Sequence, residues 1–422
     1  MTGRWFVGIL VLLVASAALA QDFREVFTSV TPANFDSGGA ISRQFHLNAE
    51  SYLRMSTVAR RAEARELVFA PRPDLAGQVV SHEGGDTSFG EYVAQDPLLD
   101  GVVVIHDGVI VFEAYPNMDP WQRHFAWSVT KVVTSTALAA LVDDGLLDMD
   151  APIDRYLPVL AKSDWAGIRV QDVANMASGI DCLDSDGYQE PTTCIYTMEE
   201  SLGITAPTGR APDFIEQLRK MRQHRPPGTR REYVSANTNV LGLVIEAVSG
   251  KPYATALQDL IWNSIGAESD ALVAISGAGY AYASGGLHAR LRDVARFGQI
   301  YTRAELSGVL SATTVSKIQK GGIALAPEEL EGLKDDFGDD LPVRGSWQWD
   351  LVWPDGALFK SGYSGQGLYV DPARNLVIAW FGTGLDFSAR TNQMLPVARQ
   401  LARSGLSVST SGRPPEPSAA GN

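Results

Sequence analysis

The strand signals of this chain lie near its two ends, and that separation limits the fold more than any other feature. From Gly101 the sequence reads GVVVIHDGVIVFEAYP, two β-branched runs around Asp107-Gly108. That dipeptide tolerates positive φ at both positions and suits a tight antiparallel turn. Comparable runs return only late, as GSWQWDLVW, ALFKSGYSGQGLYVDP and NLVIAWFGTG, split by Pro, Gly and Asn. The stretch between them reads mostly as helix: HFAWSVTKVVTSTALAALVDDG opens a helix from about Ser128 to Asp143, and GLLDMDAPIDRYLP is broken by Pro152 and Pro158. TNVLGLVIEAVSG stops at Gly250, and RLRDVARFGQIYTRAEL follows. The expectation is an α+β fold: one antiparallel sheet assembled from distant segments and flanked by helices, with a mostly helical subdomain inserted at about 145–300.

The ends of the chain say where any chemistry takes place. Arg4, an apolar run from Trp5 to Ala17 and then Ala18-Leu19-Ala20 have the order of a secretory signal, expected to occupy 1–20. The run is short for a membrane span, so the expectation is an exported chain, periplasmic or secreted, with no stable span after cleavage. Residues 21–95 show no sustained period, and APRPDLAG reads as connector, so this part is expected to wrap the surface of a domain at 96–406. The Pro/Ser/Gly-rich residues 407–422 are expected to be a disordered tail. A net charge of -14 argues against nucleic acid and anionic membranes as partners. The two cysteines, Cys182 and Cys194, are expected to form a disulfide in an oxidising compartment.

Ser128-Val129-Thr130-Lys131 stands at the mouth of the first long helix. Residues i and i+3 share a helix face, so a nucleophilic Ser128 would have the Lys131 amine beside its hydroxyl. The helix N-terminus also points backbone N–H groups outward, toward any developing oxyanion. Lysine is a base only when neutral, and burial with a neighbouring positive charge lowers its pKa. No Gly-x-Ser-x-Gly elbow occurs in the chain, which leaves a hydrolase triad without its usual nucleophile turn. The histidines at 46, 82, 106, 124, 224 and 288 show no metal-ligand spacing, and no metal site is expected.

Two further segments, PPGTRREYVSANTNVLGLVIEAVSG from Pro226 and FKSGYSGQGLYVDP from Phe359, complete an ordered set with Ser-Val-Thr-Lys. Together with SGG…RDVARFG from Ser284 to Gly298, that set resembles the serine β-lactamase and penicillin-binding-protein superfamily. The likeness is to its class C-like branch, and within that branch to the 6-aminohexanoate-dimer (nylon oligomer) hydrolases and related carboxylesterases. It covers the chain from about Gly101 to Ala402.

The resemblance implies Ser128 as nucleophile, Lys131 as its paired base and Tyr233 as the phenol that shuttles a proton. In the commonest form of the family the tyrosine stands two before an asparagine. Here it stands four before Asn237, with Ser235 between, so Ser235 is the fallback and Asn237 a substrate contact in doubt. Lys360-Ser361-Gly362 is similar to the Lys-Thr-Gly box on an edge strand. The likeness implies Lys360 in the catalytic set and holding an acidic substrate group, Ser361 and Gly362 along the substrate, and oxyanion donors at the backbone N–H groups of Ser128 and Tyr363. Asp181, Asp184 and Asp186 follow NMASGI, and Asp181 is taken as a possible contact for a substrate amine. The acidic run PEELEGLKDDFGDD reads as a solvated loop bordering the pocket, and the tryptophans at 127, 347, 349 and 353 as an apolar cleft lining. The implied chemistry is acyl transfer to water through an acyl-enzyme, on a small ester or linear amide, without metal or organic cofactor. A β-lactamase or D-alanyl carboxypeptidase, and a non-catalytic cell-wall or ligand-binding protein on the same scaffold, are the alternatives.

Overall fold

A computed structural model describes residues 24–302, 308–384 and 393–405. The leader expected at 1–20 and the tail expected at 407–422 lie outside the described residues. Asp107 and Gly108 turn with φ of 51° and 81°, joining strands Leu99–His106 and Val109–Ala114. The first of these pairs antiparallel with Leu376–Gly382, so that Val104 faces Ile378 although most of the domain lies between them in sequence. From there the sheet runs through Gln366–Asp371, Leu358–Gly362, Trp349–Val352 and Arg344–Ser346 to Ile323–Ala324, every neighbour antiparallel. The fold is α+β, with the sheet built from both ends of the domain as the sequence implied.

Both faces of this sheet are covered, which explains why GVVVI is apolar without alternation. Val103 and Ile105 face a core shared with Phe297 and Ile300 of helix Leu291–Thr302. Val102 and Val104 face a second core under helix Met394–Arg403, shared with Val397 and Leu401. Gly298 lets the first of these helices lie close, since a Cβ there would stand 2.6 Å from a Val377 methyl.

A second, four-stranded sheet corrects two expectations. Its order is Met55–Val58, Ala271–Ala274, Leu287–Arg290 and Arg123–Phe125. Two of these strands fall inside 145–300, so that region is not helical throughout; four-residue strands are too short to imprint a period. The N-terminal residues do more than wrap. Met55–Val58 is an edge of this sheet, and helix Gly39–Leu47 buries Phe45 and His46 against the turn ahead of Ser128. The acidic run from Pro327 is also not a loop: it forms two short helices, Pro327–Gly332 and Lys334–Phe337, with no buried residue.

Cys182 and Cys194 are bonded, closing a loop across a sequence separation of 12. No helix among the described residues is long and apolar enough to cross a membrane.

Candidate active site

Strand Arg123–Phe125 delivers the chain to Ser128. Ala126 donates its N–H to the Leu287 carbonyl at 2.8 Å, and Thr130 Oγ1 accepts the Leu287 N–H at 3.0 Å, so the turn between them is clamped on both sides. Inside it, Trp127 adopts a left-handed φ of 46°. For a bulky residue this conformation costs about 1–2 kcal/mol, and such strain persists only where surroundings over-determine it. Ser128 follows, half-buried in a short 3-10 turn, and helix Thr130–Asp143 starts beyond it.

Lys131 is buried on that helix, and its Nζ lies 2.9 Å from Ser128 Oγ and 2.8 Å from the Ser284 carbonyl oxygen, to which it donates. Burial pulls the Lys131 pKa down to about 7; the positive charge of Lys360 acts in the same sense, while the Asp184 carboxylate opposes it. In the neutral amine the Ser128 hydroxyl donates to the nitrogen lone pair. The pair is then a hydroxyl with its base already in contact. The Ser284 carbonyl gives the SGG segment a role in this geometry: it fixes the amine.

Tyr233 stands just before helix Ser235–Ser249. Its phenol hydrogen-bonds Ser128 and accepts from Lys360 Nζ at 2.9 Å, and the Lys131 and Lys360 ammonium positions lie 5.2 and 4.7 Å from its ring centre. Burial, then the Asp350 and Asp184 charges, hold the Tyr233 pKa well above its ordinary value. The phenol therefore keeps its proton, and the group poised to accept one near neutrality is Lys131.

Lys360 is fully buried, and its three donors are spoken for: Asp350 Oδ1 at 2.8 Å, Asp350 Oδ2 at 2.7 Å, and Tyr233. The expectation that it holds an acidic substrate group is therefore corrected; it holds Tyr233. Asp350 also accepts from the Ser361 N–H and hydroxyl at 2.9 and 2.6 Å, leaving Ser361 to line the cleft with its hydroxyl donated away. Burial pushes the Asp350 carboxyl up, but Lys360 and Arg231 outweigh it and keep it below the ordinary range.

Gly362 brings its strand against the nucleophile turn; a Cβ there would stand 2.7 Å from the Ala126 carbonyl oxygen. Tyr363 follows, its carbonyl accepting from the buried Gln366 amide at 2.9 Å, while Gln366 also bridges to Gly382 in the next strand. The residue whose N–H is expected to complete an oxyanion hole is thereby held on its carbonyl side.

Among the aspartates after NMASGI, the inward one is Asp184. Asp181 is exposed, tied to the neighbouring chain by its backbone, and is not brought to the site, which corrects its expected role. Asp184 is buried; it accepts the Ser235 N–H at 2.7 Å and the Ser235 hydroxyl at 2.5 Å, and also bonds the Tyr188 phenol. Ser235 is thus a cap partner at the head of its helix, with its hydroxyl committed. Asn237 is fully buried with its amide against Met176 sulfur, and does not reach the cleft. Both depart from their expected substrate contacts, because the Ser235 hydroxyl is given to Asp184 and Asn237 is buried within helix Ser235–Ser249.

Two pockets meet at Ser128 and Tyr363. One, of about 340 Å³, is walled by Arg231, Tyr233, Leu333, Asp336, Phe359 and Ser361, so the acidic run does border the site. The other is closed by Phe35, Asp36, Trp127, Tyr188, Glu199 and Tyr282. Two acids here were not singled out from the sequence. Burial pushes the Glu199 pKa up to about 8 and raises that of Asp36. Of the four tryptophans, Trp127 lines this site; Trp349 and Trp353 are core residues, and Trp347 borders a separate cavity of about 920 Å³ that contains none of the groups above.

Comparison with known proteins shows the family. The family described as Beta-lactamase matches residues 89–402. The 6-aminohexanoate-dimer hydrolase of Paenarthrobacter ureafaciens is 30% identical over 289 residues, covering 67% of this chain and 72% of that protein. An esterase of Burkholderia gladioli is 31% identical over 149 residues, 33% of this chain and 36% of its own. The solved structure of a Bacillus anthracis protein named for 6-aminohexanoate-dimer hydrolase superposes with a TM-score of 0.74, covering 89% of this chain and 95% of that one. At 22% identity, that last likeness speaks for the fold alone.

Proposed function

The chain belongs to the β-lactamase family and is a serine hydrolase of amidase and esterase type, and from that premise we propose that it cleaves a short ester or linear amide through an acyl-enzyme on Ser128. The observation that carries this reading is the 2.9 Å contact between Ser128 Oγ and a buried lysine whose pKa is pulled down to about 7. Lys131 takes the hydroxyl proton as Ser128 attacks the carbonyl. The Ser128 and Tyr363 N–H groups stabilise the oxyanion. Tyr233, held by Lys360, relays that proton from Lys131 to the leaving group, keeping its own proton count; Lys131, neutral again, then activates the water that releases the acyl chain.

The acids in the second pocket favour a substrate with an ammonium end. An entering cation lowers the pKa of Glu199 and ionises it, so binding and charging occur together. An amine-bearing linear amide fits that pocket and is in keeping with the relative that acts on 6-aminohexanoate dimer.

The test is turnover of a short-chain p-nitrophenyl ester, a linear ω-aminoacyl amide and a β-lactam, side by side. Ester and amide are expected to be turned over and the lactam poorly. Tyr233→Phe is expected to lower kcat by about 10²-fold or more on the amide, whose poor leaving group needs the proton. Lactam cleavage more efficient than either would establish the β-lactamase or peptidase alternative instead.

Export is proposed with this function. The bonded Cys182–Cys194 pair is the kind of disulfide that persists in an oxidising compartment. N-terminal sequencing of the protein from the periplasm or medium should begin at Gln21; an intact leader on cytoplasmic protein would refute it.

A further inference from the structure

We propose that His46 is a positioning residue for the nucleophile: it holds the Trp127 indole, and with it the strained turn that presents Ser128. The inference rests on the serine-hydrolase reading above. Trp127 is packed by Phe35, Phe125 and Tyr363, with ring centres 5.7, 4.8 and 5.4 Å away. Those contacts are non-directional; the directional one is the hydrogen bond that the indole N–H donates to His46 Nε2, at 2.9 Å. An indole can only donate, so Nε2 must be the unprotonated nitrogen and Nδ1 must carry the proton.

The rest of the cluster is wired to suit that tautomer. His46 Nδ1 lies 3.3 Å from Thr383 Oγ1 and donates to it; Thr383 donates to Asp100 Oδ2 at 2.5 Å. The other Asp100 oxygen accepts from Arg43 at 2.6 Å, and His124 Nε2 approaches Oδ2 at 3.1 Å. His124 Nδ1 is taken by the Phe125 carbonyl at 3.0 Å. His46, Asp100, His124 and Thr383 are almost completely buried.

His46, Asp100 and His124 stand close enough together to resemble a metal site. Their donor atoms, however, are already engaged with Trp127, Thr383, Arg43 and one another. Read as a hydrogen-bond relay, the cluster joins three remote pieces of chain: helix Gly39–Leu47, the central strands ending at Thr383, and the nucleophile turn. Burial, then the neighbouring His124 and Arg43, hold the His46 pKa well below its ordinary value, so Nε2 stays an acceptor at the pH of catalysis. A left-handed aromatic needs such an anchor. If the indole swings free, the 126–128 backbone can relax toward ordinary φ and carry Ser128 away from Lys131.

The experiment uses the full-length protein and a p-nitrophenyl ester, comparing His46→Leu, His46→Gln, Trp127→Phe and the double variant His46→Leu/Trp127→Phe. His46→Leu is expected to lower kcat at least about tenfold with KM within about twofold, the pattern of lost transition-state geometry. His46→Gln, whose amide oxygen can still accept the indole N–H, should recover most of that loss. Trp127→Phe removes the donor together with part of the packed ring and should show at least as large a loss, and the double variant should be no worse than Trp127→Phe alone, because both changes break the same bond. A folded His46→Leu enzyme with wild-type kcat, a loss confined to KM, or additive losses in the double variant would overturn the inference while leaving the hydrolase reading intact. If His46→Leu does not fold, full activity in Trp127→Phe overturns it equally. A wild-type protein inert toward every substrate in the panel would remove the hydrolase reading, and this inference with it.

Discussion

Ser128→Ala is expected to abolish hydrolysis, lowering kcat by about 10⁴-fold or more, since removing the nucleophile of a serine hydrolase leaves only the acceleration due to binding and oxyanion stabilisation. No neighbouring hydroxyl is placed to substitute. Ser235 donates to Asp184 and Ser361 to Asp350, and Ser364 is buried at a left-handed φ of 63°. None of these hydroxyls is hydrogen-bonded to a lysine as that of Ser128 is. The readouts are steady-state ester turnover and covalent labelling by a fluorophosphonate, followed by mass spectrometry of the peptide that contains residue 128. Wild type should carry one adduct there and the variant none. Retention of more than about 1% of wild-type activity by a well-folded variant would mean that Ser128 is not the nucleophile.

The parts of this site that were legible in the sequence are those whose chemistry is local. Ser128 and Lys131 are one helical turn apart, and Lys360 to Gly362 is a continuous strand, so spacing alone fixes their mutual geometry. The Asp107-Gly108 turn and the Gly250 helix stop are equally local, each set by one residue's backbone freedom. What could not be read are groups made neighbours by sheet pairing. Asp350 reaches Lys360 only because Trp349–Val352 lies beside Leu358–Gly362, and Asp36 and His46 arrive from a stretch with no periodic signal. A lone carboxylate in a polar context leaves no mark in the sequence until a fold buries it. The choice of Asp181 over Asp184 failed for a related reason. Three aspartates within six positions differ only in backbone direction, and the turn at Asp184–Asp186 points Asp184 inward to Ser235. The tryptophans misled because their size serves cores and clefts alike; only Trp127 adjoins the chemistry.

The second large effect concerns the base. Lys131→Met should lower kcat by about 10³-fold or more, and Lys131→Arg should fare no better, because a guanidinium does not give up its proton and so cannot act as a base. In wild type the active form is the neutral amine. With a pKa of about 7, kcat/KM should rise as pH increases through about 7 and level off above it, the protonated enzyme being inactive below. The charges around Lys131 give this assignment a test of sign. The Lys360 charge lowers the Lys131 pKa, whereas the Asp184 carboxylate raises it. Lys360→Met should therefore move the acid limb to higher pH, the more so because it leaves Asp350 without its lysine partner, while Asp184→Asn should move it to lower pH. Both variants will also lose rate, since Lys360 holds Tyr233 and Asp184 caps its helix, yet a loss of rate alone leaves the limb where it was. Opposite displacements identify the titrating group as one lying between those two charges. A limb that stays fixed in both variants, or shifts the same way in both, would assign the titration to a group other than Lys131.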